Sequence, residues 1–210
     1  MKTKRSEETK KLVLKAAEKL FSKKGYDAVS IREIAKEANC SHTTMYVYFK
    51  DKEELLHQLS MPALLQLRGN MIQITESGSD SPEDRLKKIS NEFIQFCLRN
   101  KNVFSIFINA KSTRLDELNP DMEINKVRLE IFALMKQMLG ESLSIPDNTE
   151  QLMAFSRIYF YNLYGILNTY SYQHEPTEVL IERITPTFTL AFDILIMGFK
   201  EKLKEGEENE

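Results

Sequence analysis

Long apolar runs are missing from this chain, and no stretch approaches the 18 or so consecutive apolar residues that span a bilayer. The basic start at Lys2, Lys4 and Arg5 runs into Ser6-Glu-Glu8 rather than an apolar segment, so the sequence reads as a cytoplasmic protein with no membrane association. Cysteine is scarce: Cys40 and Cys97 match no metal-binding spacing and read as reduced thiols. A redox-sensing thiol would need an electropositive, exposed setting, which a sequence does not display. The phosphate-cradling G-x-x-x-x-G-K-[ST] and G-x-G-x-x-G, the zinc-binding H-E-x-x-H and the nucleophile elbow G-x-S-x-G are all missing. Glu54 and His57 form one carboxylate–histidine pair at i, i+3, but di-iron bundles need two such pairs and two further glutamates, and no second pair exists. No catalytic residue, metal ligand or cofactor is therefore assigned. Alternating strand patterns and internal repeats are missing too, which leaves an all-α chain.

A formal net charge of only -2 argues against a globally basic nucleic-acid binder. The charge is unevenly spread, however. Residues 1–60 hold 13 Lys and Arg against 9 Asp and Glu, and the remainder holds 16 against 22. A basic head on an acidic body fits a local phosphate footprint, and the alternative is a merely solvated charged face.

Within that head, Ile31, Ile34, Ala35 and Ala38 repeat at i, i+3, i+4 and i+7, the stripe of one buried helical face. Ser30 followed by Glu33 is a capping-box pattern that starts this helix. Asn39 enters the left-handed region at low cost, and Ser41 can accept from the amides of a new helix, so the helix stops at Ala38-Asn-Cys-Ser41 and another begins. On the second helix Met45 and Phe49 face inward, which turns His42, Thr43, Thr44, Tyr46 and Tyr48 outward. Such side chains suit phosphates and base edges. Upstream, Val13, Ala16, Ala17, Leu20 and Phe21 mark a third helix that ends at Lys23-Lys-Gly25, where glycine supplies a left-handed cap. Two short helices across a turn of about three residues, braced by a third, read as a helix-turn-helix.

These residues resemble the tetracycline-repressor-like (TetR) transcriptional regulators. The resemblance runs from the lysine-rich first helix through Gly25-Tyr26 and Ile31-Arg-Glu-Ile-Ala-Lys-Glu-Ala38 to Met45-Tyr-Val-Tyr-Phe-Lys-Asp-Lys-Glu-Glu-Leu55, roughly the first quarter of the chain. It implies that Tyr46, Tyr48 and Lys52 touch phosphates and that Arg32, His42 and Thr43 lie nearest the bases, with Ser30, Ser41 and Thr44 completing the surface. Thr43 stands where many members carry glycine or another small residue. The implied organisation is a helix-turn-helix domain over 1–55 and a helical effector-binding and dimerisation domain over 56–210.

Beyond the head a helix starts at Asp51, with Glu54 at the capping-box position, and continues to Thr75 with a kink expected at Pro62. Ser77-Gly-Ser-Asp-Ser-Pro82 breaks the pattern. Helical patterns follow at about 83–99, 101–113, 120–139, 149–173 and 177–204, and Glu205–Glu210 reads as a frayed acidic tail. His174 falls at a helix end. In Phe155–Leu167 and Phe188–Phe199 apolar groups cover nearly the whole circumference, so both sides need covering. The resemblance implies that a second copy covers one side in a four-helix bundle, where Gly165 and Gly198 would permit close approach and Arg157 would meet a carboxylate across the dimer or an anionic ligand group. Pro186 is expected to kink the last helix early.

Phe93, Phe96, Cys97, Phe104, Phe107, Met135, Met138, Phe155, Tyr159 and Tyr164 lie on helices that converge in such a body, and either line a pocket or form plain core. The resemblance implies an effector pocket here, and Phe93, Phe96, Cys97, Phe107, Met138, Phe155 and Tyr159 are the ligand-binding candidates. The function expected is a repressor released from a palindromic double-stranded operator by a small apolar effector. A helical ligand-binding or protein-interaction module without DNA affinity is the alternative, and steep salt dependence of duplex binding separates the two.

Overall fold

A computed structural model describes residues 2–101, 104, 123–170 and 175–207, and among them all regular structure is helical. The helices are α1 (Lys2–Lys24), α2 (Ile31–Glu37), α3 (His42–Tyr48), α4 (Lys52–Thr75), α5 (Pro82–Arg99), α6 (Glu123–Leu143), α7 (Glu150–Tyr170) and α8 (Thr177–Glu207). The chain divides into two compact units, one of Met1–Gln66 with Asn100–Arg128 and one of Leu67–Arg99 with Leu129–Glu210. The helix expected over 101–113 lies outside the described residues except for Lys101 and Phe104, and His174 lies outside them as well.

In the first unit α1 buries Val13, Ala16, Ala17, Leu20 and Phe21, the face the sequence periodicity marks. It packs on α2, which buries Ile34 and Ala35, and α2 in turn meets α3 through Met45. The rings of Phe21 and Tyr26 meet at 5.3 Å between centroids. Complete burial of a side chain such as Phe21 or Ile34 contributes about 1.5–3 kcal/mol each, so this small head has a core of its own. Gly25, at φ 82°, ends α1 with its N–H donating 2.9 Å to the Phe21 carbonyl. Helix α4 starts after Asp51, whose carboxylate accepts from the Glu54 N–H at 2.8 Å, while the Glu54 carboxylate reaches back to the Lys50 N–H at 2.6 Å. The helix continues through Pro62 to Thr75.

In the second unit α5 packs against α7 and α8, which also pack on each other. Its core is aromatic: Phe155 stacks on Phe199 at 4.4 Å, Tyr159 meets the edge of Phe192 at 6.1 Å, and Phe160 lies between Phe93 and Phe132. Ion pairs Arg99–Glu178, Lys87–Asp193 and Lys200–Glu83 lace α5 to α8 at the surface, where each contributes at most about 1 kcal/mol. Pro186 does not end α8. The expected fraying from Glu205 is corrected: α8 runs to Glu207, with Lys202–Glu205 and Lys204–Glu201 pairing at i, i+3 on its last turns.

Gly140 sits where α6 turns towards α7. A Cβ there would lie 3.0 Å from Leu152 Cδ2 and 3.2 Å from the Ile145 carbonyl oxygen, and Ser144 follows at φ 57°. At Gly165 and Gly198 a Cβ would meet nothing within 4 Å. The faces that carry them also expose Ile158 and Tyr161 on α7 and Leu190, Ile194 and Met197 on α8.

Candidate nucleic-acid interface

The turn between α2 and α3 is set by three residues. Ser30 caps α2 with both halves of a capping box: its Oγ accepts from the Glu33 N–H, and the Glu33 carboxylate accepts from the Ser30 N–H at 2.9 Å. Asn39, at φ 51°, takes the left-handed conformation that reverses the chain. Ser41 then caps α3, its Oγ accepting from the Thr44 N–H at 3.0 Å. Of the seven residues of α3 only Met45 is buried, and Phe49 anchors the exit beneath it. Packing this short helix by so few residues leaves the rest of its surface available.

That surface brings together Ser41, His42, Thr43 and Tyr46, all exposed, with Thr44 and Tyr48 half-buried beside them. The rings of His42 and Tyr46, one turn apart, meet edge to face at 5.0 Å, so each restricts the other. The Thr44 hydroxyl is hydrogen-bonded to Ser41 Oγ at 2.7 Å. Arg32 is exposed on the first turn of α2, and Ser30 is exposed before it.

Lys52 is placed differently from an outward cation. Half-buried at the start of α4, its ammonium donates to the carbonyls of Tyr26 at 2.9 Å and Val29 at 3.1 Å and lies 4.2 Å from the centre of the Tyr26 ring. It ties the α1–α2 loop to α4 and keeps one of three N–H donors for anything else. Burial, with the charges of Glu53, Asp51 and Asp27, pushes the Tyr26 phenol up to about 12.

Cations near the reading helices divide into paired and unpaired. Lys24 binds Glu33 at 2.7 Å and Lys19 binds Glu37 at 2.5 Å, pinning α1 to α2. The Lys24 ammonium, the Ser30 N–H and the Ser30 hydroxyl together hold the Glu33 carboxyl down at about 2. Lys11, Lys15, Lys23, Lys36 and Lys50 have no acidic side-chain partner among the described residues, so their charge is available to phosphates.

The ligand-binding candidates are placed chiefly as core. Phe93, Cys97, Met138, Phe155 and Tyr159 are buried, as are Phe104 and Met135, while Phe96 and Tyr164 are half-buried. Phe107 lies outside the described residues. Tyr159 bonds the buried Ser90 hydroxyl, which donates to the Leu86 carbonyl at 2.6 Å, so a polar pair is set within aromatic surroundings. Burial holds this phenol above its ordinary range, and it also raises the Cys97 thiol well above and the Cys40 thiol above theirs, the reverse of an activated nucleophile. Ser90 and Phe160 escape sequence reasoning because a small polar residue on an apolar stripe and one more aromatic in an aromatic-rich helix carry no distinguishing pattern. Open clefts of about 430 Å³ between α7 and α8 and about 550 Å³ between α4 and α6 are lined by other residues, including Tyr161, Gly165 and Phe188 in the first and Arg68 and Glu130 in the second.

A three-helix head whose second and third helices are capped and joined by a left-handed turn, the third facing outward, defines a helix-turn-helix domain. Residues 13–59 match the family model of bacterial regulatory proteins of the tetR family. That stretch, α1 to the start of α4, carries the DNA-binding domain of this family. It is similar to YhgD of Bacillus subtilis, an uncharacterized HTH-type transcriptional regulator, at 24% identity over 172 residues that cover 80% of this chain and 87% of that protein. YuxN of the same organism, also an uncharacterized HTH-type transcriptional regulator, is 33% identical over 105 residues, half of this chain and 36% of its own length. The fold is shared with the crystal structure of the regulator FadR from Bacillus subtilis in complex with stearoyl-CoA, at a TM-score of 0.60 and 18% identity over 89% of this chain and 97% of that one.

Proposed function

We propose that this regulator is a repressor that holds a palindromic operator as a homodimer and is released when an apolar small molecule occupies its helical body. The observation that carries the DNA-reading part is the surface of α3, packed through Met45 alone and presenting His42, Thr43 and Tyr46 outward. In this reading residues 1–55 read DNA and residues 56–210 bind effector and partner. Arg32, His42 and Thr43 contact bases; Tyr46, Tyr48 and the remaining donor of Lys52 contact phosphates; and Ser30, Ser41 and Thr44 set the helix ends that carry them.

The exposed apolar residues of α7 and α8 support dimerisation. Leu190, Ile194 and Met197 follow one another at i, i+4, i+7 and are 59%, 59% and 69% exposed, a stripe that a monomer in water has no use for. Two-fold symmetry of the dimer then requires an operator of two inverted half-sites about one or more helical turns apart. The effector reading rests on the aromatic centre around Phe93, Phe155 and Tyr159, and the stearoyl-CoA held by FadR on the same fold supports a molecule with at least a long apolar chain. Selecting genomic fragments that bind the purified protein, then titrating the enriched duplex at several salt concentrations, tests the reading. Affinity should fall steeply with salt for a palindromic site; salt-insensitive or sequence-indifferent binding contradicts it.

A further inference from the structure

Val47 stands in the last turn of α3, one residue before its end, and is 73% exposed. Its position is unusual for a valine. A β-branched residue lowers helix propensity relative to the lysine, glutamate or alanine usual on an exposed helical face, and here most of its apolar side chain is left in water. Thr43, also exposed, precedes it by four residues, so the two lie on one face of the helix. The neighbouring positions are otherwise engaged: His42 and Tyr46 pack on each other, and Ser41 and Thr44 bond one another. The outer surface of α3 thus carries two strips, an aromatic one of His42 and Tyr46 and a methyl-bearing one of Thr43 and Val47. In a helix the valine side chain has essentially one rotamer, so its methyls are fixed before any partner arrives and lose little freedom on docking.

Among base edges in the major groove, one group is apolar: the C5-methyl of thymine. We propose that Val47, with the methyl of Thr43 beside it, reads thymine C5-methyl groups and is a specificity-determining residue of this regulator. The inference rests on the DNA-reading role of α3 proposed above. It assigns to the helix a mode of discrimination that Arg32 and His42, as hydrogen-bonding readers, do not supply.

Deoxyuridine is the matching probe, because it keeps every hydrogen-bonding group of thymidine and lacks only the methyl. Duplexes enriched from a random library by the full-length protein are remade with each half-site thymine replaced singly by deoxyuridine. Their affinities for the wild type, Val47→Ala and Val47→Thr are then measured by fluorescence anisotropy. Loss of one methyl contact corresponds to about a fourfold weakening. At one or two thymine positions the wild type should weaken by about that factor, Val47→Ala should bind thymine and uracil duplexes alike, and Val47→Thr should fall between. The valine is exposed, so circular dichroism spectra of the three proteins should coincide. If every uracil replacement affects wild type and Val47→Ala equally, the proposal is overturned while DNA reading by α3 stands. If the library yields no enriched duplex, the DNA-reading function fails and this inference falls with it.

Discussion

Glu33 is half-buried at the surface, where its carboxylate accepts from the Ser30 backbone, the Ser30 hydroxyl and the Lys24 ammonium, and its pKa falls from 4.5 to about 2. A depressed carboxylate favours the folded state above its unfolded pKa, and that contribution is lost as pH falls through the folded value. The head should therefore lose stability between about pH 4.5 and 2. Urea unfolding followed at a series of pH values should show this slope flatten in Glu33→Gln. Ser30→Ala removes the other half of the capping box and should cost about 1 kcal/mol at neutral pH, measured the same way. Lys52 has two tasks to lose. Lys52→Ala should lower the stability of the head by about 1–2 kcal/mol through the lost carbonyl bonds and ring contact, and should weaken all duplexes alike with a salt slope smaller by about one. Thr43→Ala, by contrast, should change which bases are preferred while leaving binding to random DNA nearly intact. The capping role of Ser30 was readable because its partner is three residues away. The clamp made by Lys52 was not, because its carbonyl partners at Tyr26 and Val29 are brought near only by the fold.

Among the elements, those with local start and stop signals were the legible ones. The starts of α2 and α3, the left-handed Asn39, the Gly25 cap and the break before Pro82 all follow from side chains bonding their own neighbourhood. Helix α6 shows where that logic fails. Its periodic pattern stops before Gly140 because glycine reads as a terminator, yet the helix continues to Leu143 and uses Gly140 for close approach of Leu152. Gly140→Ala should accordingly cost about 1–3 kcal/mol by overpacking, measured by thermal unfolding. Gly165→Ala has open space within its own chain, so it should leave the fold intact and should weaken self-association if the partner approaches there. The body's candidate pocket was legible only as a list of bulky residues, since a core aromatic and a ligand-lining aromatic have the same helical spacing. Whether Phe155 faces Phe199 or a ligand is decided by packing from a helix more than forty residues away.

For the molecule as a whole, Leu190→Glu with Ile194→Glu should convert a dimer to a monomer in analytical ultracentrifugation, because charges placed on an exposed apolar stripe leave the chain's own core untouched. Effector and operator should oppose one another by the same factor in both directions, typically 1–3 kcal/mol of coupling. Calorimetric titration of an identified effector with and without saturating operator measures this, and equal affinities would exclude the coupling even where the pocket is real. The enclosed phenol of Tyr159 has an optical consequence. The chain has no tryptophan, so its near-ultraviolet absorption is dominated by eight tyrosines. Two of these resist ionisation in the folded state, Tyr159 by burial and Tyr26 held up at about 12, while in an unfolded chain each would lose its proton near 10. Groups whose pKa is raised by folding stabilise below the unfolded value, and that support drains away as alkali rises past it. In an alkaline titration the phenols of Tyr159 and Tyr26 should therefore ionise only as the helices give way, so that their step in tyrosinate absorbance is itself a record of unfolding that needs no added dye.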